Sequence, residues 1–172
     1  VPFGEFFPVP QAVREWLRLM NLPYSDFQPG RADPAPLRAA GETFAPTVCY
    51  EDAYGSEQLG LVRQSSLLVN VTNDAWFGDS TAPHQHLDIS RMRALESGRA
   101  MLRATNDGVT ALIGHDGALL GTLPQFQPGV LTGEVQPRTG LTPYVRFGNW
   151  PILAVLWLGL ADPATSVFES MA

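Results

Sequence analysis

The sequence predicts an α/β fold, and three local patterns support that prediction. Apolar, β-prone segments at residues 42–48 and 66–71 flank a helical pattern at 56–64, which is the spacing of a β-α-β unit with parallel strands. The longest helical pattern follows at residues 84–104. An Asp-Gly dipeptide at positions 116 and 117 then marks a hairpin turn, so we expect an antiparallel portion late in the chain.

Composition limits the possible functions. The chain has 172 residues, which fits one domain, and its net charge of −6 gives no reason to expect a nucleic-acid partner. Its single cysteine excludes an intrachain disulfide and a cysteine-rich zinc site, and we expect neither a metal nor a cofactor. All eleven basic residues are arginines, so a mechanism that requires a lysine cannot be complete within this chain.

The N-terminal segment contains a carboxylate in aromatic surroundings. Glu5 lies in a proline-rich loop beside Phe6, where a raised pKa would suit proton transfer, although a loop glutamate pointing to water is an equally good interpretation. A helix is predicted from Pro10, with an apolar stripe that packs on the core by default or on a membrane or substrate as the alternative. The stripe comprises Val13, Trp16, Leu17 and Met20.

Cys49 is the candidate nucleophile. It follows the strand at residues 42–48 and precedes a predicted helix. A strand-to-helix turn holds the sulfur at the edge of a sheet, with backbone N–H groups facing a reacting carbonyl. The alternative is that Cys49 is a small, buried hydrophobic side chain, as most single cysteines are.

The loop after residues 66–71 should emerge beside Cys49, because the carboxyl ends of parallel strands meet at one edge of a sheet. Trp76 and Phe77 could wall a pocket for an apolar group, and Asn73 or Asp74 could bind its polar end. The alternative is ordinary loop capping, with the aromatic side chains packed on the core.

The later elements follow from periodicity and turn residues. In the helix at residues 84–104 we expect a buried apolar side flanked by charged residues that include Arg103, and a close backbone approach at Gly98. His84 and His86 are two positions apart, which is not a ligand spacing, so we predict no metal site there. The remaining strands are predicted at residues 109–113, 118–123 and 130–135.

The end of the chain is strongly apolar. Residues 150–161 contain no charge, but twelve residues fall short of the roughly twenty that a bilayer-spanning helix needs. They could form a core helix, a shortened membrane anchor or an interfacial segment with Trp150 and Trp157 at the lipid headgroups.

Five segments together resemble a known family. They are residues 1–6 (Val-Pro-Phe-Gly-Glu-Phe), 48–51 (Val-Cys-Tyr-Glu), 73–80 (Asn-Asp-Ala-Trp-Phe-Gly-Asp-Ser), 91–96 (Arg-Met-Arg-Ala-Leu-Glu) and 103–110 (Arg-Ala-Thr-Asn-Asp-Gly-Val-Thr). In this order they resemble the bacterial apolipoprotein N-acyltransferases, membrane-embedded members of the nitrilase superfamily. The resemblance implies a nitrilase-like α-β-β-α sandwich, of which residues 1–148 would be the C-terminal part. Residues 149–172 would begin the last membrane helix of the family.

The resemblance also implies the site residues. Cys49 falls on the nucleophile, Glu5 on a second essential glutamate and Glu51 on another carboxylate of the site. Tyr50 and Trp76 fall on aromatic positions important to activity, and with Phe77 they are the predicted substrate-binding residues. The general-base glutamate and the lysine of the family would lie N-terminal to the first residue, in agreement with the missing lysine.

The implied reaction is acyl transfer through a Cys49 thioester. The acyl donor would be a phospholipid of the phosphatidylethanolamine type, and the acceptor would be the N-terminal amine of a diacylglyceryl-modified lipoprotein cysteine. The implied location is the bacterial inner membrane, with the catalytic domain facing the periplasm. Two alternatives remain at this stage: a soluble nitrilase-superfamily amidase with water as the acceptor, and a non-catalytic binding fragment. Residues 1–172 alone are predicted to have negligible transferase activity.

Overall fold

The computed structural model describes residues 34–161 and five residues of the preceding segment. Those five are Pro10, Val13, Glu15, Trp16 and Leu19, and all but Pro10 are helical, as predicted for this segment. Val13 and Trp16 are exposed by 42% and 59%, so the predicted packing of their stripe on the core is wrong for these two side chains. Glu5 and residues 162–172 lie outside the described residues.

A six-stranded sheet runs through residues 37–122, and its strands lie in the order in which they occur along the chain. The strands are β1 (Leu37–Ala39), β2 (Glu42–Val48), β3 (Leu67–Asn73), β4 (Met101–Asn106), β5 (Ala111–Ile113) and β6 (Leu119–Thr122). β2, β3 and β4 are parallel to one another, and the remaining pairs are antiparallel. The predicted α/β class, the parallel pair and the late antiparallel portion are therefore confirmed.

Helices connect the parallel strands and follow the sheet. They are α1 (Leu59–Val62), α2 (Ala82–Ser97), α3 (Pro143–Phe147) and α4 (Trp150–Ala161), with short 3₁₀ helices at Cys49–Ala53 and Ala75–Phe77. α1 links β2 to β3, and α2 links β3 to β4. Each crossover begins with a 3₁₀ helix, so both 3₁₀ helices lie at the carboxyl edge of the sheet.

The core forms on one face of the sheet. Ala45, Leu68 and Met101 lie side by side on β2, β3 and β4 and are at most 2% exposed. Leu61 of α1 and Leu87 of α2 belong to the same buried cluster. Full burial of a leucine side chain contributes about 1.5–3 kcal/mol, so this contact fixes both helices on that face.

The opposite face of the sheet is apolar, and among the described residues it is exposed near its carboxyl edge. Val48 on β2 and Val71 on β3 are neighbours there, and they are exposed by 49% and 47%. Of the implied α-β-β-α sandwich, the described residues thus contain one sheet and one helical layer. This corresponds to part of a nitrilase-like domain.

Three sequence predictions of secondary structure are wrong: two helices are shorter than predicted, and one predicted strand does not form. The helix predicted at residues 84–104 ends at Ser97, because Gly98 adopts a left-handed conformation with a φ of 64°. The last residues of the predicted helix, 101–104, instead belong to β4. The helix predicted at 56–64 is reduced to α1 and flanking turns, and residues 130–135 form no strand.

Helix α4 has the predicted bounds, and its described side chains are exposed. Trp150 and Trp157 are exposed by 77% and 70%, and the side chains between them are exposed as well. The interpretation of this segment as a core helix is therefore wrong. Within the described part of the chain, no helix combines the length and hydropathy needed to cross a membrane.

Candidate active site

Cys49 lies at the first position after β2 and opens the 3₁₀ helix that follows. Its backbone φ is 53°, in the left-handed region that costs a residue with a side chain about 1–3 kcal/mol. Its side chain is neither sealed in the core nor fully exposed. A half-buried cysteine in a strained turn at the carboxyl edge of parallel strands is the arrangement expected of a nucleophile.

Glu51 stabilises the turn that carries Cys49 through two hydrogen bonds. Its carboxylate oxygen Oε2 accepts a hydrogen bond of 2.7 Å from the backbone N–H of Val48. Its carbonyl oxygen accepts a second bond, of 2.6 Å, from the side-chain amide of Gln58. Glu51 is otherwise exposed, so its carboxylate lies next to solvent, two residues after Cys49 in the chain.

The predicted aromatic residues lie on the same edge. Tyr50 is 44% exposed, and its ring makes an edge-to-face contact with Tyr54 at a centroid distance of 6.3 Å. Trp76 and Phe77 belong to the 3₁₀ helix that follows β3, and β3 is the neighbour of β2 in the sheet. Their side chains are exposed by 68% and 44%. These side chains therefore offer accessible apolar surface around the end of β2, while the predicted Glu5 lies outside the described residues.

Behind the cysteine lies a buried charged cluster that centres on Arg103 of β4. The guanidinium is 2% exposed, and its Nη2 donates to Oδ2 of Asp74 at 2.9 Å. Its Nη1 donates to Ser90 Oγ at 2.8 Å and lies 3.7 Å from Asp52 Oδ2. Ser90 in turn donates to Asp52, which belongs to the 3₁₀ helix opened by Cys49.

His86 of α2 joins the two carboxylates of this cluster. Its Nδ1 lies 2.9 Å from Asp74 Oδ1, and its Nε2 lies 3.0 Å from Asp52 Oδ1. Burial disfavours the charged imidazole, but the hydrogen bonds to Asp52 and Asp74 outweigh it and raise the pKa of His86 to about 9. The cluster then pairs two carboxylates with two cations, which offsets the cost of burying charge.

Asp74 is fully engaged within this cluster. Burial alone would raise the pKa of its carboxyl, but the His86 hydrogen bond and the Arg103 charge hold that pKa below its usual value. Thr72 Oγ1 donates a further bond of 3.2 Å. The side chain is 1% exposed, so the hypothesis that Asp74 binds the polar end of a substrate is wrong.

Asn70 of β3 connects the cluster to the backbone of Cys49. Its side-chain oxygen accepts from Arg103 Nη1 at 2.9 Å, and its side-chain nitrogen donates to the carbonyl oxygen of Cys49 at 3.0 Å. The same nitrogen donates to Thr47 Oγ1 at 3.0 Å. An asparagine amide has an acceptor at one end and donors at the other, so it can relay between a guanidinium and a carbonyl.

Sequence reasoning did not identify this cluster. Its charged members lie in a 3₁₀ helix, a loop, α2 and β4, so no local spacing connects them. The signal available in the sequence was Arg103, since an arginine at an inward position of a strand requires buried partners. Among the described residues, no group of three potential ligands is arranged to hold a metal ion.

The comparison with known families agrees with this geometry. Residues 14–144 match the family described as carbon-nitrogen hydrolase, which is most of the chain. The chain belongs to the carbon-nitrogen hydrolase family. Cys49, Glu51 and the buried cluster all lie within the matched residues.

Two curated relatives of this carbon-nitrogen hydrolase chain share a more specific name. The apolipoprotein N-acyltransferase of Azotobacter vinelandii is 52% identical over 163 residues, which cover 94% of this chain and 32% of the relative. That of Methylococcus capsulatus is 48% identical over 155 residues, or 90% of this chain and 31% of the relative. The chain spans about a third of the length of these relatives. Its resemblance to this group, first seen in the motifs, is therefore confirmed.

Solved structures share the fold. An amidase from Nesterenkonia sp. is similar with a TM-score of 0.56 and 25% identity, covering 76% of this chain and 49% of the amidase. A carbon-nitrogen hydrolase from Helicobacter pylori is similar with a TM-score of 0.57 at 13% identity, covering 86% of this chain and 55% of that protein. The nitrilase-like fold expected from the resemblance is thus confirmed.

Proposed function

We propose that this chain is the C-terminal, nucleophile-bearing portion of an apolipoprotein N-acyltransferase. Residues 1–148 would belong to the catalytic domain, and residues 149–172 would begin a membrane helix. The observation that carries the proposal is the strained, half-buried Cys49 at the carboxyl edge of parallel strands, in a chain about 50% identical to proteins of that name.

The proposed chemistry has two half-reactions. The Cys49 thiolate attacks the ester carbonyl of a phospholipid, the C–O bond breaks, and the lysophospholipid leaves as an alcohol after it takes up a proton. The N-terminal amine of a diacylglyceryl-modified lipoprotein then attacks the thioester, the C–S bond breaks, and the amine loses its proton as the amide forms. A thioester is reactive enough for aminolysis, which makes it a suitable intermediate.

The residues of the site have distinct proposed roles. Glu51 and Glu5 are proposed as carboxylates of the site, and Tyr50, Trp76 and Phe77 as the apolar surface for acyl chains. Support for this comes from the exposure of the three aromatic side chains around the end of β2. The chain contains no lysine, so the catalytic lysine and the general base are proposed to lie upstream, and residues 1–172 alone should be inactive.

The proposed location is the bacterial inner membrane, with this domain on its periplasmic side. Supporting this is helix α4, whose described side chains are apolar and exposed on every side. Exposed tryptophans such as Trp150 and Trp157 in an apolar segment are typical of membrane interfaces.

A soluble amidase is the second candidate, favoured by the structural similarity to the Nesterenkonia amidase. The test is intact-mass spectrometry of the full-length protein after incubation with phosphatidylethanolamine vesicles, with Cys49→Ala as the control. An acyl-sized mass gain confined to the wild type, and lost on addition of a diacylglyceryl-cysteine peptide with formation of its amide, supports the transferase. Hydrolysis of simple amides without any acyl gain would assign the protein to the amidases instead.

A further inference from the structure

The left-handed backbone conformation of Cys49 requires hydrogen bonds that stabilise it. A φ of 53° is disfavoured for a residue with a β-carbon, so the chain returns to an extended or right-handed conformation unless neighbouring groups fix the turn. Glu51 fixes it from the solvent side through the N–H of Val48. A second contact comes from the interior and acts on Cys49 itself.

The interior contact is the hydrogen bond of 3.0 Å that the Asn70 amide donates to the carbonyl oxygen of Cys49. The Asn70 side chain cannot rotate away from this bond without breaking two other hydrogen bonds. Its oxygen accepts from Arg103, and its nitrogen also donates to Thr47. It is 0% exposed, so no water can replace these partners without entering the core.

Arg103 secures the same turn at a second point. Through Ser90 and by direct charge attraction it engages Asp52, three residues after Cys49 in the same 3₁₀ helix. The helix that carries the sulfur is thus bound at its first and fourth residues to one buried guanidinium.

We propose that Asn70 and Arg103 are positioning residues for the nucleophile, which hold Cys49 in its left-handed conformation through the Asn70 hydrogen bond to the Cys49 carbonyl. The inference rests on the proposed function and extends it by two residues that do not touch the substrate. Misplacement of a nucleophile by about 1 Å lowers a reaction rate as much as a hundredfold, so the contact acts on catalysis more than on binding.

The test is Asn70→Asp in the full-length protein. The substitution keeps the shape of the side chain and an acceptor for Arg103, but replaces the donor to the Cys49 carbonyl by a repelling oxygen. We expect the kcat of acyl transfer from phosphatidylethanolamine to fall by about tenfold to a hundredfold with KM nearly unchanged. The melting temperature should fall but stay above the assay temperature, because the Cys49 carbonyl and the buried Thr47 hydroxyl lose their donor. Alkylation of Cys49 by iodoacetamide, which needs an accessible thiol but no precise orientation, should stay within about threefold of the wild type.

Two further variants make the result decisive. Gln64→Glu adds the same charge at an exposed position after α1, at the opposite edge of the sheet from Cys49, and should leave kcat unchanged, which excludes a general electrostatic effect. Asn70→Ala removes the donor without adding charge and should reproduce the fall in kcat. The inference is overturned if either Asn70 variant is folded and retains wild-type kcat, or if both fail to fold, because Asn70 would then serve only the stability of the sheet. Cys49→Ala with retained transfer would instead overturn the proposed function.

Discussion

The carboxylate of Glu51 accepts a hydrogen bond of 2.7 Å from the backbone N–H of Val48, on the other side of the candidate nucleophile Cys49. The bond closes a ring around Cys49, so the residues on either side of the cysteine are joined directly. A carboxylate in this position stabilises the turn and, as proposed, also takes part in proton movement. The two roles can be separated because only one of them requires a negative charge.

Glu51→Gln separates these roles. The amide oxygen can still accept from Val48, so we expect a melting temperature close to that of the wild type, whereas acyl transfer should fall at least about tenfold if the charge takes part in proton movement. Glu51→Ala removes the acceptor as well and should cost about 0.5–1.5 kcal/mol of stability. Full activity in Glu51→Gln would limit Glu51 to the structural role.

Trp76→Ala tests the proposed acyl-binding surface. The indole is 68% exposed, so its removal should change stability by less than about 1 kcal/mol while lowering acyl transfer severalfold. The matched control is Leu120→Ala on β6, where a side chain exposed by 54% lies away from the Cys49 turn. Equal losses of folding and transfer in Trp76→Ala would contradict the proposal.

The pKa of His86 predicts how stability depends on pH. Because the folded protein raises this pKa from 6.5 to about 9, the protonated imidazole binds more tightly in the folded state. The resulting stabilisation is complete below about pH 6.5 and is lost as the pH rises to about 9. Urea denaturation of the purified protein at intervals from pH 6 to 9.5 should show the midpoint falling across this window.

A pair of histidine variants tests whether His86 causes this pH dependence of stability. The groups that face His86 are Asp52, Asp74, Arg103 and the Tyr50 ring, whose centroid lies 5.7 Å from that of the imidazole. His86→Gln should flatten the dependence between pH 6.5 and 9 and lower stability at pH 6. His84→Gln, at an exposed position of α2, should leave the dependence intact. An unchanged slope in His86→Gln would mean that another group titrates.

The elements nearest the candidate nucleophile were predictable because their signals are local. Residues 42–48 contain a short apolar, β-prone run, and the β-α-β spacing makes the next strand a parallel neighbour. Cys49 and Trp76 therefore come to one edge of the sheet from topology alone. The resemblance adds the implied roles of residues at that edge.

β4 was missed because its inward face carries an arginine. The buried positions of the strand are Met101 and Arg103, and a pattern that assigns every charge to the surface cannot recognise this alternation. A charge at an inward position is tolerated only where other elements supply partners, here Asp74 and Asp52. Those partners are distant in sequence, so both the strand and the cluster become visible only in three dimensions.

A glycine controls how closely the chain can pack on this cluster. A β-carbon at Gly108, in the loop after β4, would lie 2.3 Å from Asp74 Oδ2 and 2.8 Å from Asp74 Cβ. Since Asp74 is held by Arg103, His86 and Thr72, it cannot move aside without breaking a buried ion pair. We therefore expect Gly108→Ala to lower the free energy of unfolding by about 1–3 kcal/mol.

Gly60→Ala is the control for that substitution. Gly60 lies in α1, and a β-carbon there would meet no atom within 4 Å. Alanine is the better helix former, so this variant should match the wild type or gain up to about 1 kcal/mol. In urea denaturation, the midpoint of Gly108→Ala should thus be lower than that of the wild type. The midpoint of Gly60→Ala should be equal to it or higher. A Gly108→Ala protein as stable as Gly60→Ala would show that the Asp74 carboxylate can shift, and that the buried cluster is less rigid than its contacts imply.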